Sequence, residues 1–349
     1  MNTDSTATSP KPWHVPAPEE WLASHTEAII EPDLPIVDPH HHLWDRPEWR
    51  YLFDDIRADL ASGHNVRSTV FVQCRAMHRA DGPVDFAPVG ETEFVNGIAA
   101  MSASGGYGDR RVAAGIVGHA NLLLGARAGS VLEAHVKTAG SRFKGIRHTT
   151  AWDADTSVMN PENSPPQGAM QLPNFREGFA CLAPLGLSFD AWLYHPQLGD
   201  VVDLARAFPQ TSIILNHVGG PLATGVYAGK AAEVFAQWKA SMRTLATCPN
   251  VTVKLGGLGM RILGAAYRTR PMPPSSEELA GVWKPIIETC IELFGPERCM
   301  FESNFPVDKA SFSYAVCWNA FKRLAQGYSA AEKANLFSGT ATRVYRLAA

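Results

Sequence analysis

Short apolar runs alternate along the chain with longer stretches in which apolar residues recur every three to four positions. The short runs predict β-strands and the longer stretches predict amphipathic helices. The eight predicted strands are Pro35–His42, Ser68–Cys74, Val112–Asn121, Phe143–Thr149, Leu187–His195, Ser212–Val218, Val251–Gly256 and Arg298–Asn304. The eight predicted helices are Asp54–Gly63, Glu91–Ala103, Gly129–Gly140, Asn174–Gly186, Leu198–Phe208, Gly229–Thr247, Ser275–Phe294 and Ser329–Leu347. Because strands that alternate with helices form parallel sheets, eight such units predict an α/β protein, a closed (β/α)8 TIM barrel.

Two parts of the chain depart from this alternation. Residues 1–33 are poorly periodic and rich in proline, and they predict an N-terminal arm that wraps its own barrel or a neighbouring subunit. Residues 34–349 are predicted to form the barrel domain. Two long connections, 151–173 and 256–274, each follow a strand. They are therefore expected at the carboxyl-terminal face of the barrel, where barrel active sites form.

Composition narrows the class of protein. With 46% hydrophobic and 19% charged residues, the 349-residue chain can bury a large core, which excludes wholesale disorder. The net charge of −3 argues against nucleic acid or an anionic membrane surface as the main partner. No apolar run reaches the ~18 residues of a membrane helix, and the first twenty residues lack a secretory pattern. Six cysteines without CxxC spacing predict reduced thiols and a cytoplasmic protein.

Histidines stand at the ends of several predicted strands. The first strand ends in Asp38-Pro39-His40-His41-His42, and strand alternation places the side chains of Asp38, His40 and His42 on one face. Further strand-end histidines are His148, His195 and His217, with His119 near the end of the third strand. Neutral imidazoles that converge on one barrel mouth suit a divalent metal, zinc or manganese. The alternative for each histidine is a hydrogen-bonded structural role.

The last predicted strand carries a carboxylate where an apolar side chain would be expected. Met300, Glu302 and Asn304 share one face, and a carboxylate inside a barrel is costly unless it is paired or bound to a metal. Glu302 is therefore predicted as a metal ligand or general base, the alternative being a buried ion pair with Lys254. Lys254 either holds a substrate carboxylate or carbonyl or neutralises Glu302. Asp308 is a second candidate for the general base, unless it only ties down its loop.

Several residues are predicted to contact the substrate. Arg261, Arg268 and Arg270 lie in the second long connection and can clamp a carboxylate in bidentate fashion. Asn304 and Trp152 follow strands at the same face. A carboxylate-bearing small molecule is accordingly the expected partner. Trp-rich surfaces and the arm favour a homo-oligomer or a hetero-oligomer with a paralogue. Arg147, beside His148, is expected to point to the outside of the barrel unless a bulge redirects it.

Five motifs occur in a set order: IVDPHHHLWD, FKGIRH, LNHVGGP, VKLGGLG and FESNFPVD. Together they resemble the amidohydrolase-related (amidohydrolase 2) TIM barrels, in the branch that holds sugar-lactone hydrolases such as fuconolactonase and pyrone-dicarboxylate hydrolase. The resemblance extends from about residue 34 to the C-terminus. It implies metal ligation by His40 and His42 of the first strand and by His195 and His217 of the fifth and sixth, with His148 at the fourth strand end.

One motif departs from the family pattern. The resemblance implies an Asp after the eighth strand, in a sequence like GSDWP, but this chain reads Glu302-Ser303-Asn304-Phe305-Pro306. The amide of Asn304 has no usable basicity at neutral pH, so it cannot take a proton from the attacking water. Glu302, one pleat below, is the residue that can take this role or bind the metal.

Three functions stay open on the sequence alone. The first is a metal-dependent hydrolase of a small lactone or related carboxylic-acid derivative, in which a bound metal activates water. The second is a dinuclear non-haem oxygenase with iron or manganese that hydroxylates a small carboxylic acid, because the ligands are many for one ion. The third is a non-catalytic supporting subunit, suggested by the loss of the expected Asp.

Overall fold

The computed structural model describes residues 15–160 and 164–348, and these ranges contain one large parallel sheet and a small hairpin. The strands are β1 (Ile36–His41), β2 (Trp44–Arg46), β3 (Trp49–Tyr51), β4 (Val66–Val72), β5 (Arg111–Gly118), β6 (Phe143–Ile146), β7 (Ser188–Ala191), β8 (Ile213–Leu215), β9 (Val251–Leu255) and β10 (Cys299–Phe301). The large sheet has the order β1-β4-β5-β6-β7-β8-β9-β10, and every neighbouring pair in it is parallel. All eight predicted barrel strands are therefore confirmed, whereas the hairpin of β2 and β3 was not predicted.

The sheet closes on itself through backbone contacts just beyond β10. His41 pairs with Phe305 in a parallel bridge. The amide of His42 donates to the Phe305 carbonyl at 2.7 Å, and the amide of Asn304 donates to the His40 carbonyl at 3.0 Å. First and last strands are thus joined, as a (β/α)8 barrel requires. The predicted fold class is confirmed.

Helices cover the outside of the barrel. They are α1 (Glu19–Ala23), α2 (Phe53–Leu60), α3 (Val89–Ala103), α4 (Ala128–Ala139), α5 (Pro173–Ala180), α6 (Leu198–Ala207), α7 (Ala231–Leu245), α8 (Ser276–Phe294), α9 (Tyr314–Leu324), α10 (Ala330–Ala334) and α11 (Thr340–Val344). Helix α9 was missed, and the last predicted helix is divided by a π-turn at Asn335–Gly339. Among the helices of the described ranges, none has the length and apolar character to cross a membrane.

A separate apolar cluster joins residues of several barrel strands to the segment after α11. Its members come from interior strand positions and from the segment after α11: Val37, Val70, Val72, Val117, Ile214, Met300, Ala341, Tyr345 and Leu347. We call these residues the inner cluster. The chain that follows α11 therefore packs at the amino-terminal end of the barrel, where Lys144, the second residue of β6, donates to the Arg346 carbonyl at 3.0 Å.

The described part of the arm lies against the chain's own barrel. The Trp21 indole donates to the Arg270 carbonyl at 2.9 Å. The Glu27 carboxylate accepts from the Ser276 amide at 2.6 Å and from the Asn319 side chain at 3.1 Å, so it contacts α8 and α9. Residues 1–14 of the predicted arm lie outside the described residues.

Candidate active site

The centre of the barrel mouth is a carboxylate held between two imidazoles. Glu302 directly follows β10, His40 lies in β1 and His217 follows β8. The His40 Nδ1 atom lies 2.8 Å from Glu302 Oε2, and His217 Nδ1 lies 2.7 Å from Glu302 Oε1. The His217 amide also donates to Oε1 at 3.1 Å. All three side chains are buried. Three distant parts of the chain thus converge on one carboxylate.

The backbone around these residues explains how they approach so closely. His217 and Val218 have φ angles of +51° and +50°, and Asn304 has a φ of +55°, a region that non-glycine residues rarely adopt. Strained backbone conformations of this kind persist only where the surrounding packing stabilises them, and they concentrate at functional sites. A Cβ atom at Gly257 would overlap the His217 ring, and one at Gly256 would overlap Glu302. The paired glycines after β9 therefore make room for this cluster.

Two buried cations flank His40. Arg147 Nη1 lies 3.3 Å from His40 Nε2, and Lys254 Nζ lies 3.3 Å from His40 Nδ1. Lys254 also lies 3.4 Å from Asp190 Oδ1, and the Tyr345 hydroxyl donates to the same carboxylate oxygen at 2.6 Å. Burial lowers the pKa of Lys254 and raises that of Asp190, and each charge opposes the shift of the other. When all four groups are ionised, the positive charges of Arg147 and Lys254 balance the negative charges of Asp190 and Glu302.

The imidazoles of the mouth are held neutral. Burial lowers the pKa of His40 and His42 well below the ordinary value, and nearby cations lower it further. Burial also lowers the pKa of His217, although Glu302 opposes this shift. The His42 Nδ1 atom lies 2.7 Å from the Val72 carbonyl, which assigns the proton to Nδ1 and leaves Nε2 as an acceptor. Neutral rings retain the lone pairs that a proton acceptor or a metal ligand needs.

A small cavity opens above this cluster. It has a volume of about 80 Å³. Its walls combine imidazole, guanidinium, amide, thiol and aromatic groups, from His42, Trp44, Arg46, Gln73, Cys74, Arg147, Thr149, Asn160, Trp192, His217, Met260, Asn304 and Val307. Trp192 meets the His217 ring edge-on, with ring centroids 4.8 Å apart. The cavity thus offers hydrogen-bond donors and acceptors to the same small ligand.

The donor set at the base of the cavity fits a divalent cation. Within the described residues, His40, His217 and Glu302 form the cluster whose ligand atoms all lie within 4.8 Å of one another. Glu302 Oε2 is buried and has no aligned hydrogen bond in the described part of the chain, despite its short distance to His40. Such an orphaned carboxylate oxygen suits a cation. Because the local charges already balance, a divalent ion would require an anionic further ligand.

Two predicted ligands lie elsewhere. His148 Nδ1 accepts from the Leu122 amide at 3.1 Å and its ring packs on Phe175. His195 Nδ1 accepts from the Leu222 amide at 3.3 Å and its ring meets Tyr227. The structure does not bring either residue into the cluster of His40, His217 and Glu302. His42 lies beside that cluster, with its ring centroid 4.9 Å from that of His40.

The expectation that Arg147 points out of the barrel is wrong. The regular strand β6 ends at Ile146, and a register shift separates the β5–β6 pairs. Alternation therefore no longer governs the next residues, and Arg147 points inward while His148 packs against α5. Burial lowers the pKa of Arg147, but Asp190 and other anions oppose this shift.

The predicted substrate-binding residues are spread over the mouth. Asn304 lines the small cavity, whereas Arg261 and Arg268 line a larger neighbouring cavity. Arg270 pairs with Glu278 at 2.5 Å on the surface. Trp152 lines a separate pocket formed by its own connection.

Asp308 lies directly behind Asn304. Its carboxylate accepts from the side-chain Nδ2 of Asn304 at 2.9 Å and from the backbone amide of Gly259 at 2.9 Å. Burial raises the pKa of Asp308 to about 8, although these hydrogen bonds oppose the shift. Its carboxyl is thus mostly protonated at neutral pH, which makes it a poor proton acceptor there.

Sequence reasoning missed three residues of this region. Asp190 stands inside the apolar run of β7, a signal of the same kind as Glu302. Arg46 lines the small cavity from the unpredicted hairpin, where its guanidinium lies 4.4 Å from the Trp44 ring centroid. Tyr345, near the C-terminus, donates a hydrogen bond to Asp190, and no local sequence pattern predicts that contact.

A parallel eight-stranded barrel with histidines and a carboxylate at the strand ends defines the class of (β/α)8 enzymes that act at the carboxyl-terminal face. The model of the amidohydrolase family (amidohydrolase 2) matches residues 37–347. The chain belongs to this family, as its motifs predicted.

Curated relatives agree with this membership. The chain is 34% identical over 336 residues to the uncharacterized protein y4mH of Sinorhizobium fredii, with 90% of this chain and 99% of that protein covered. It is 26% identical over 326 residues to L-fucono-1,5-lactonase of Burkholderia multivorans, with 89% of this chain and 96% of the lactonase covered. Family and relatives support a hydrolase.

Solved structures share the fold. An amidohydrolase from Burkholderia multivorans, solved with bound zinc, superposes with a TM-score of 0.69 at 25% identity, over 90% of this chain and 99% of that one. A putative 2-pyrone-4,6-dicarboxylic acid hydrolase from Pseudomonas putida superposes with a TM-score of 0.59 at 17% identity, over 90% and 99% of the two chains. The second likeness concerns the fold alone.

Proposed function

We propose that this protein hydrolyses a small lactone or a related carboxylic ester at the cavity above Glu302. The observation that carries the proposal is the Glu302 carboxylate held between His40 and His217, at the base of a cavity that also presents Arg46 and Arg147. The likeness to a lactonase supports the same reaction class. Neither the oxygenase nor the supporting-subunit hypothesis finds such support among the relatives.

His217 is the proposed proton acceptor. Its Nδ1 donates to Glu302 Oε1, so its Nε2 carries the lone pair that can take a proton from the attacking water. The negative charge of Glu302 then stabilises the imidazolium that forms. General-base assistance of this kind contributes roughly 10²–10⁴-fold to a rate. Glu302 thereby acts on the reaction through His217 and does not need to reach the water itself.

Arg147 is the proposed group that holds the oxygen of the reacting carbonyl. Its Nε–H is buried and has no acceptor within residues 15–160 and 164–348, while Nη1 and Nη2 contact His40 and the Gln73 carbonyl. Donors fixed before the reaction stabilise the charge that develops on a carbonyl oxygen. Arg46, on the same cavity, can hold a substrate carboxylate.

We further propose that His40, His217 and Glu302 hold one divalent ion, zinc or manganese, with His42 beside them. With such an ion bound, the single lone pair of His217 would be a metal ligand, and His217 would not also act as the proton acceptor. Such an ion, when bound, lowers the pKa of a water ligand and polarises a carbonyl. The orphaned Glu302 Oε2 atom supports this assignment, since a cation would satisfy it.

The test combines metal analysis with turnover. Metal per chain is measured by elemental analysis on protein purified without chelator, and hydrolysis is followed on a panel of small lactones before and after chelation and zinc or manganese return. The variant Glu302→Gln is compared with Glu27→Gln, which neutralises a carboxylate that contacts α8 and α9 and does not line the small cavity. We expect about one ion per chain, lost together with at least about 100-fold of activity in Glu302→Gln only.

Other results would contradict specific parts of the proposal. Hydrolysis that survives chelation but is lost in Glu302→Gln would overturn the metal assignment and leave the His217–Glu302 base in place. Two iron or manganese ions per chain, with oxygen consumption and no lactone hydrolysis, would replace the hydrolase by the oxygenase. Neither metal nor hydrolysis would favour a supporting subunit.

A further inference from the structure

A second, larger cavity lies beside the small one at the barrel mouth. Its volume is about 620 Å³, within the range of small-molecule binding sites. Its walls come from three separate parts of the mouth, and they comprise Val15, Trp49, Gly259, Met260, Arg261, Ile262, Ala265, Ala266, Arg268, Thr269, Val307, Ala310 and Ser311. Met260 and Val307 line both cavities, so the larger cavity is adjacent to the small one, with these two side chains between them.

The character of these walls indicates what would extend there. Trp49, Ile262 and Ala265 are buried apolar side chains, and Met260 and Val307 continue the apolar surface towards the small cavity. The charged groups of the lining are the guanidinium groups of Arg261 and Arg268, whose aliphatic stems also add apolar surface. The Arg268 Nη1 atom donates to the Val15 carbonyl at 3.4 Å. A polyhydroxylated group would find few hydrogen-bond partners on such walls.

A third cavity, on the opposite side of the mouth, makes the contrast clear. It has a volume of about 520 Å³ and shares Gln73 and Thr149 with the small cavity. Its lining is more polar than that of the 620 Å³ cavity and includes Arg75, His78, His119, Asn121 and His148. The small cavity is therefore flanked by an apolar cavity on one side and a polar one on the other.

We propose that the 620 Å³ cavity binds an alkyl or aryl group of the substrate, so that the reacting ester or lactone carries a sizeable apolar substituent. This inference rests on the proposed function, which places the carbonyl at Arg147 and His217. The carboxylate of the product would then lie near Arg46 and Arg147 while its apolar part fills the cavity between Trp49 and Ile262. A compact sugar lactone would leave this apolar volume empty.

The test measures binding first, because binding does not require turnover. Straight-chain carboxylates from butanoate to decanoate are titrated calorimetrically as product analogues. Each buried methylene should raise affinity by about fourfold until the cavity is full. Ala266→Trp and Ala310→Phe each place a bulky ring in the cavity, and both should flatten this dependence on chain length. The matched control Ala87→Trp fills the polar cavity and should retain the dependence.

Hydrolysis of γ-butyrolactone and γ-decalactone then separates the two proposals. Chain-length-dependent binding without hydrolysis of any lactone would refute the proposed function and leave the apolar cavity standing. Hydrolysis without a preference for the longer substrate, or an affinity that does not change with chain length, would refute only the apolar cavity. The cavity assignment also fails when both filling variants keep the dependence, or when Ala87→Trp abolishes it equally.

Discussion

The two ends of the barrel interior are built on opposite principles. At the amino-terminal end, the inner cluster packs Val37, Met300 and Leu347 with no charged member. At the carboxyl-terminal end, Glu302 and Lys254 are equally buried but ionisable, and each contacts His40. The first end gains stability mainly from apolar burial, whereas each charged group at the second must be compensated by another.

The two ends meet at Asp190. Its carboxylate accepts the hydroxyl of Tyr345, a member of the inner cluster, and lies within 3.4 Å of Lys254, a member of the charged network. The Lys254 ammonium also lies 5.2 Å from the Tyr345 ring centroid. The apolar end therefore also supports the charged end, because the hydroxyl of Tyr345 donates to the Asp190 carboxylate that neutralises Lys254.

The largest effect on stability is expected from Lys254→Met. This change leaves Asp190 as a buried anion without its cation, so the free energy of unfolding should fall by about 3–5 kcal/mol. Urea denaturation measures the loss. The double variant Lys254→Met with Asp190→Leu should recover most of it, since it removes both charges together. Lys230→Met, at an exposed position, is the control and should change stability by less than about 0.5 kcal/mol. A double variant less stable than the single one would contradict this account.

A smaller effect is expected at the apolar end, from Met300→Ala. Deletion of this side chain leaves a cavity in the inner cluster and should reduce the free energy of unfolding by about 2–4 kcal/mol. Met300→Leu conserves volume and should cost less than about 1.5 kcal/mol. Activity per folded molecule should stay within a few-fold of the parent in both variants. Should Met300→Ala abolish turnover while the protein remains folded, the division of labour between the two ends would be wrong.

The smallest effect is expected on the pH dependence of folding stability, through the carboxyl group of Asp308. Burial raises the pKa of Asp308 to about 8, whereas in the unfolded chain it lies near 3.8. Folding therefore retains a proton that the unfolded chain releases, so this group's contribution to stability is present below about pH 4 and is lost as the pH rises to about 8. Asp308→Asn does not ionise. The melting temperature of the variant relative to the parent should rise steadily across this pH range. A difference that is constant or falls with pH would count against the buried, protonated carboxyl.

The barrel and two of its site residues were accessible from sequence because they depend on local regularity. Apolar runs place His40 in β1 and Glu302 after β10, and both side chains lie in the mouth. Glu302 keeps the alternation of Met300, whereas Val37 and His40 have opposite parity and both face inward because of a register shift between Asp38 and His41. His148 and His195 follow the regular ends of their strands by two and four positions in the chain. Beyond a strand end, turn geometry and register decide the direction of a side chain, so alternation gives the wrong face for Arg147.

Other contacts depend on the path of the whole chain. Tyr345 reaches Asp190 only because the segment after α11 enters the amino-terminal end of the barrel. Arg46 reaches the small cavity because a hairpin folds over the mouth. No spacing within a single motif encodes either contact. The glycine pair after β9 was visible in the sequence, but its purpose, to admit His217 and Glu302, required the packed structure.

The closure of the barrel between β1 and the end of β10 also has a consequence for the order of events during folding. The Ser303 backbone amide donates a hydrogen bond to the Asp38 carboxylate, 265 positions away in the chain, and the Asn304 backbone amide donates to the His40 carbonyl. We call this junction between β1 and the segment after β10 the seam. Contacts of such separation carry a large loop-closure entropy and tend to form late. His40 and Glu302 belong to opposite sides of this seam. An unclosed intermediate therefore has helices and strands but no assembled site, and the return of activity during refolding should report the moment when the seam is made.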